Sequence, residues 1–401
     1  MKKILVLFSL VLSAVMPAAA QYHYQDSKNV EMLRHSEYHT PVRAEMYIPQ
    51  VCGYNVYKSD LHTHSVYSDG QVTPQYRIRE GWLDGLDVMA VTEHIEYRPN
   101  EAVFYDYLKE YAEKEYKPVK KGLDEGNSMV DLNYAVKESQ KEAARYGLLI
   151  IPGTEITRSG SEVGHFNALF TTDNNLIYDK DPVQAIRNAK AQGALVMHNH
   201  PGWTRKNIAM TETEVKVYGE GLIDGVEVMN GAEFYPGVID RVREGKMFIS
   251  ANTDIHASTA VEYNVYGETR PMTLILAKEK SLDSIREALE ADRTIAYGFG
   301  QLCGSEEFLH DLFMASVTLA PVDGKKVSLT NMTSLPYIIK KENGNPVRIP
   351  PFSTYNTSIP ENAETLSLTV LNLWTGEDTH LKVEYEEIYT DCCSCIIHLW
   401  M

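Results

Sequence analysis

The sequence predicts an α/β fold built on a buried, largely parallel sheet, closer to a barrel than to an open sheet, followed by a small antiparallel β domain. Three observations predict it. Short apolar runs alternate with amphipathic segments from residue 56 to about 300; the texture turns to strict apolar and polar alternation after about 305; and histidines and carboxylates recur at the ends of the apolar runs.

The chain opens with MKKILVLFSLVLSAVMPAAAQ: two lysines, an apolar stretch over residues 4–15, and Ala18-Ala19-Ala20 before Gln21. That is the pattern of a secretory signal peptide over residues 1–20, with 21–55 as an N-terminal extension. The apolar stretch is shorter than the roughly 20 residues that span a bilayer, and no later segment approaches that length, so membrane insertion is not expected. No cysteine follows the leader to carry a lipid anchor. Export to a periplasm or beyond is the expectation.

From 56 to 305 the runs DVMAVTEH, LLIIPGTEIT, HFNALF, ALVMHNHP, DGVEVMN and FISANTDIH are rich in Val, Ile and Leu, as buried parallel strands require. Helices fall between them. Residues 129–146 place Leu132, Val136, Ser139, Ala143 and Tyr146 on one stripe and stop at Gly147; 181–192 stops at Gly193; 281–291 begins with a capping Ser281 and has Asp283 in its first turn. The Tyr-rich stretch 95–128, with Tyr97, Tyr105, Tyr107, Tyr111 and Tyr116, reads as a solvated insertion in preference to a lid. After it, VTLAPV, LSLTVLNL and HLKVEY between turn residues describe a small β-sandwich-like domain over 306–390. Cys52, Cys303, Cys392, Cys393 and Cys395 are odd in number and fit no disulfide framework. The tail DCCSCIIHLWM over 391–401 has no physical account.

The stretch DLHTHSVYSDG puts His62 and His64 two residues apart at a strand end, on one face, which is a chelating geometry. Ligand-type residues close or open the other strands too. Asp69 follows the first, His94 the second, Glu155 the third; His165 opens HFNALF, His198 and His200 sit in MHNHP, and Asp254 and His256 form TDIH. Seven of the thirteen histidines lie in that set. Catalytic groups of α/β barrels gather at one rim in this way, so a metal site is expected.

In order along the chain, Asp60-x-His62-x-His64 with Ser68-Asp69-Gly70 behind it, Thr92-Glu93-His94, Gly153-Thr154-Glu155, His200-Pro201 and Asp254-Ile255-His256 resemble the motifs of the PHP (polymerase and histidinol phosphatase) superfamily of metal-dependent phosphoesterases. The likeness covers about 57–300 and leaves the C-terminal domain outside it. It implies a distorted (β/α)7 TIM-like barrel with three divalent ions. His62, His64 and Asp254 would hold one ion; Glu155 would bridge it to a second held by His165 and His200; Asp69, His94 and His256 would hold the third. Two departures stand out. The alanine-histidine-proline element reads His198-Asn199-His200-Pro201 here, leaving the ligand open between His198 and His200 although the proline favours His200. His94 follows Glu93 where aspartate is common.

Imidazole and carboxylate ligation without cysteine suits Mn, Zn or Fe and does not separate them. A bridging carboxylate such as Glu155 keeps two ions about 4 Å apart, so that a shared water loses a proton near neutral pH. Three divalent ions suit the spread charge of a phosphoryl group better than a neutral amide. Glu155, Asp254 and His198 are therefore the expected catalytic groups, His198 as general acid or as a partner that orients a ligand. Arg158, Arg205 and Asn230 are the candidates for binding substrate.

The formal net charge is −17, and loss of Lys2 and Lys3 with the leader takes it to −19. Such a surface repels nucleic acid polymers and anionic membranes, leaving a small phosphorylated substrate as the expected partner. No G-x-S-x-G, Walker A or H-E-x-x-H motif is present, and GFGQLCG lacks dinucleotide spacing. An amidohydrolase-type hydrolase and a non-catalytic, metal-stabilised binding protein remain as alternatives. The oligomeric state is not legible.

Overall fold

The computed structural model describes residues 42–100, 121–123, 126–128, 131–158 and 163–385. The predicted leader, most of the Tyr-rich insertion and the Cys-rich tail lie outside the described residues. The chain from Ala44 onward forms one compact unit. No helix among the described residues is long and apolar enough to cross a membrane.

In chain order the strands begin with β1 (Asn55–Asp60), β2 (Val88–Val91), the short hairpin β3 (Lys121–Leu123) and β4 (Gly126–Ser128), β5 (Leu149–Ile156), β6 (His165–Leu169) and β7 (Leu195–Asn199). They continue with β8 (Gly225–Asn230), β9 (Glu233–Phe234), β10 (Phe248–Asn252), β11 (Met272–Ala277), β12 (Thr294–Gly298) and β13 (Gln301–Gly304). β2, β7, β8, β10 and β11 are buried at every residue, which is why they read as mainly apolar runs without strand alternation. The helices between them are capped as their sequences require. Asp181 accepts from Val183 N at 2.9 Å ahead of Pro182–Ala191, and Ser281 from Ser284 N at 3.2 Å ahead of Leu282–Glu290. The helix expected over 129–146 is shorter, Tyr134–Ala143, because Asp131 Oδ1 bonds Asn133 N in a turn before it.

The sheet is mixed, a correction to the parallel sheet expected. β1–β2, β2–β5, β7–β8 and β8–β10 are parallel, whereas β6 runs antiparallel to both β5 and β7, and β11 runs antiparallel to β1 and β12. The cause is connection length. The link between Ile156 and His165 is shorter than the dozen or so residues that a parallel crossover needs. β6 therefore turns back, and His165 at its start faces Asn199 at the end of β7.

The hydrogen-bonded path runs β10-β8-β7-β6-β5-β2-β1-β11-β12-β13. No backbone ladder joins its β10 end to β11 or β12, so a closed barrel is not formed by strand pairing. Threonine hydroxyls span the seam instead. Thr273 Oγ1 accepts from Ala251 N at 3.0 Å and donates to Ala251 O at 2.9 Å; Thr294 Oγ1 does the same for Ile249, at 3.1 and 2.7 Å. Each hydroxyl supplies the acceptor and donor that a strand would have offered.

The remaining strands are β14 (Val317–Asp323), β15 (Lys326–Asn331), β16 (Tyr337–Lys340), β17 (Val347–Ile349), β18 (Thr354–Ser358), β19 (Leu366–Gly376) and β20 (Thr379–Tyr385). β14, β15 and β18 form a separate three-stranded sheet. β16, β17, β19 and β20 instead extend the large sheet, because β19 pairs in parallel with β13 through Leu302–Leu373 and Cys303–Trp374. Leu309 and Phe313 of the helix Glu306–Ser316 share a core with Val327, Leu329, Tyr337 and Val370.

Candidate metal centre

The ends of several strands converge on one rim. His62 and His64 lie just past β1, and a parallel bridge between Thr63 and Ile255, with His64 N donating to Ile255 O at 3.2 Å, locks that segment to the one carrying Asp254 and His256. A second bridge joins His94 to Glu155. Two of these residues have left-handed backbones without being glycine, His200 at φ 25° and Asp254 at φ 53°. Such strain persists where surrounding structure over-determines it, and it gathers at functional sites.

Nitrogen and oxygen atoms of nine residues meet here in four overlapping groups, each with its ligand-type atoms within 4.8 Å of one another. The groups are His64, Asp69, His94 and His256; His62, His64 and Glu155; His62, His200 and Asp254; and Glu155, His165 and His200. His62 Nε2 and His64 Nε2 are 3.1 Å apart, and each is 3.0–3.1 Å from the same oxygen, Asp254 Oδ1. His256 Nε2 and His94 Nε2 approach Asp69 Oδ1 to 3.1 and 3.3 Å. His165 Nδ1 lies 3.2 Å from Glu155 Oε1.

Asp69 Oδ1 and Glu155 Oε2 are buried beside imidazoles, yet neither has a hydrogen bond of good geometry among the described residues. Close approach without hydrogen-bond alignment, in a set of imidazoles and carboxylates, fits shared cations in place of protons. Charge in the cluster is strongly coupled. Burial works against Glu155 and Asp254, but the cations of His94 and His62 outweigh it and hold both carboxyls well below the usual range. Burial together with His94 drives His64 down to about 3, while Glu155 and Asp69 overcome the burial of His94 and push it up to about 10. The carboxylates thus favour the charged form of His62, His94, His200 and His256, supplying to the cluster positive charge that divalent ions would otherwise bring.

A scan of family models finds no match, and no curated protein matches. Among solved structures, a two-domain protein from Bacteroides vulgatus, predicted to contain a PHP-like metal-dependent phosphoesterase, is similar at 32% identity over 86% of this chain and 98% of that one, with a TM-score of 0.73. The chain belongs to the PHP-like metal-dependent phosphoesterases. A Bifidobacterium adolescentis protein assigned as a metal-dependent phosphoesterase matches at 14% identity, 58% and 95% coverage and TM-score 0.37. An amidohydrolase from Chromobacterium violaceum, with bound sulfate and no metal, matches at 14%, 50% and 87% and TM-score 0.35. Neither of these weaker likenesses adds to the assignment.

The phosphoesterase cluster opens into a cavity of about 630 Å³ whose wall includes Asp69, Glu155, His200 and Asp254. Two half-exposed aromatics flank it: Tyr97, its ring 5.9 Å from His94, and Trp203, 5.3 Å from both His165 and His200. Arg158 is on the same wall, beside Glu96 at 3.1 Å and over the Tyr178 ring.

Three of the expected residues are placed apart from the cluster and the cavity wall. His198 takes no part in the cluster. Strand alternation turns Asn199 inward, where its Nδ2 donates to Glu155 Oε1 at 3.1 Å, and turns His198 outward against Phe166, Tyr218 and Glu214; the left-handed turn at His200 then brings that ring back inside. Arg205 is engaged by Glu214 through two contacts, at 2.6 and 3.0 Å, and is not among the residues of the large cavity. Asn230 donates to Glu227 Oε2 at 2.8 Å and is likewise not among the residues of the large cavity.

Glu227 is the residue that the sequence reading missed. It is fully buried, 2.9 Å from His62 Nδ1, and accepts from His200 N, Asn230 Nδ2 and Asn252 Nδ2. A carboxylate inside the otherwise apolar run DGVEVMN was the available signal, since a buried charge needs a reason. Glu93 works similarly on the other side: it accepts from Ser68 Oγ at 2.5 Å, and Ser68 is 3.3 Å from His64 Nδ1. Arg77 ties the two ligand segments through their carbonyls, donating to His64 O at 2.9 Å and His256 O at 3.0 Å.

Proposed function

We propose that the chain is an exported hydrolase of small phosphate esters, working at a centre of three divalent ions held by His62, His64, Asp69, His94, Glu155, His165, His200, Asp254 and His256. One observation carries this reading: the nine side chains, drawn from segments far apart in sequence, bring their ligand-type atoms together, and seven of them line a single cavity. Mn, Zn or Fe bound there would supply Lewis acidity to phosphoryl oxygens and lower the pKa of a bound water.

The protein's own groups do the rest. Glu227 accepts from His62 Nδ1, so the other nitrogen keeps its lone pair toward the cavity; Glu93, through Ser68, does the same for His64. Asp254 O accepts from His256 Nδ1 at 2.7 Å and fixes that ring likewise. Tyr97 and Trp203 form two apolar walls on which the ester's leaving group would rest, and Arg158 offers cationic charge at the third. We read the curved sheet with its threonine seam as a strand-broken TIM-like barrel, with residues 306–390 as an appended β domain.

The test is metal content combined with hydrolysis of aryl phosphomonoesters and diesters, by the mature protein and by Glu155→Ala, each reconstituted with Mn, Zn or Fe. About three ions per chain and turnover lost with Glu155→Ala are expected. Metal bound without turnover of any phosphate ester would refute the reading.

A further inference from the structure

The loop over residues 201–211 joins the metal centre to the helix Glu212–Gly219, and it carries one of the two aromatic walls. Its first part is strained: His200 and Thr204 both have left-handed backbones, at φ 25° and 58°. From inside, Glu227 accepts from His200 N at 2.8 Å and Glu214 takes Arg205. Glu214 also accepts from Thr211 N at 2.9 Å, at the loop's far end.

On the outer side the packing is close and leads away from the centre. The Tyr235 ring lies so tightly on Gly202 that a Cβ there would sit 2.5 Å from Tyr235 Cε1. Two residues on, a Cβ at Gly237 would sit 2.5 Å from Ile208 Cδ1, in the same loop, and 3.5 Å from Glu377 Oε1. Glu377 belongs to the turn between β19 and β20. Ile208, Phe234 and Trp374 pack against the same apolar cluster, with the Phe234 and Trp374 rings edge to face at 5.2 Å.

That turn is itself anchored. Trp374 Nε1 donates to Gln301 Oε1 at 2.9 Å, Arg243 Nη1 donates to Thr375 O at 2.5 Å, and Glu377 N donates to Asp240 Oδ1 at 3.3 Å. With the parallel pairing of β13 and β19, this makes the turn a fixed point on the large sheet.

We infer that the β19–β20 hairpin of the C-terminal domain is the outer brace of loop 201–211, with Trp374 and Glu377 as positioning residues for Trp203 and His200. Backbone strain of this kind lasts only where it is held from several sides, and the hairpin supplies the outer one. The brace gives the C-terminal domain a part in the reaction without contact to substrate.

The experiment uses the full mature chain, wild type, Trp374→Ala and the gentler Gly237→Ala, which crowds Ile208 while keeping every ring. Hydrogen exchange over residues 200–211 is read by mass spectrometry, together with KM and kcat for an aryl phosphate. Faster exchange confined to 200–211, with β7 unchanged, and a KM raised on the order of tenfold with a smaller change in kcat are expected. Unchanged exchange in that loop, or faster exchange with KM unaltered, overturns the inference even if the melting temperature falls. The kinetic arm rests on the phosphoesterase reading; the exchange arm does not. If wild type turns over no phosphate ester, that reading fails and exchange alone decides the brace.

Discussion

Oε1 of Glu227 lies 2.9 Å from Nδ1 of His62, across the ring from the nitrogen that faces Asp254. The carboxylate's other hydrogen-bond partners among the described residues, His200 N, Asn230 Nδ2 and Asn252 Nδ2, are also donors. Glutamine would turn an amide NH2 toward donors, so Glu227→Gln is not conservative here. Metal affinity should fall by about 10- to 100-fold, with turnover following metal occupancy. Competitive chelator titration of wild type and variant measures it; equal affinities would remove the orienting role.

Asp254 separates charge from backbone shape. At φ 53° it occupies the region that asparagine also tolerates and alanine does not. Asp254→Asn and Asp254→Ala should both lose bound metal and turnover, but in urea unfolding of the metal-free proteins the alanine variant should be about 1 kcal/mol less stable than the asparagine one. Equal stabilities would mean that the conformation carries no strain.

The Glu214 carboxyl gives a pH signature away from the metal centre. Burial would raise it, but His198 and Arg205 outweigh burial and bring it from an ordinary 4.5 down to about 2. A folded value below the unfolded one adds stability that is complete above 4.5 and lost as pH falls toward 2. Glu214→Gln removes this contribution. Its difference in unfolding midpoint from wild type should be largest near pH 6 and shrink below pH 4; a constant difference from pH 7 to 3 would contradict the assignment.

Gly70 follows Asp69 with no space for a side chain. A Cβ would lie 2.7 Å from Ser65 Cα, and Gly70 N donates to Ser65 O at 2.9 Å to close the turn. Gly70→Ala should displace Asp69 and lower kcat/KM by roughly 100-fold, with loss of part of the bound metal. Wild-type kinetics in this variant would show that the turn can shift without cost to Asp69.

The sequence disclosed the site more fully than the fold. His62 and His64 were legible because strand alternation puts i and i+2 on one face, and the remaining groups because each closes or opens an apolar run. His200 was favoured by the proline after it, but the inward turn of Asn199 was not legible, since the φ of 25° that reverses alternation at His200 leaves no mark in composition. Glu227 was hidden in DGVEVMN, where an apolar reading passes over the carboxylate between two valines. The direction of β6 was hidden because HFNALF reads alike in either sense; only the short link before it decides. Arg158 and Arg205 look identical in sequence, and each pairs with a glutamate whose side chain is buried, Glu96 and Glu214; what separates them is that Arg158 lines the large cavity and Arg205 does not.

The β1–β11 pairing has a consequence for biogenesis. Ser59 Oγ bonds Thr273 O, 214 residues along the chain, and β1 cannot take its place between β2 and β11 until β11 exists. Closing so long a loop is slow and comes late in folding. The two histidines that follow β1 thus meet Asp254 only when nearly the whole sheet is in place, so an incompletely folded chain presents isolated imidazoles in place of a finished chelator. Assembly of the chelating cluster is thereby tied to completion of the sheet.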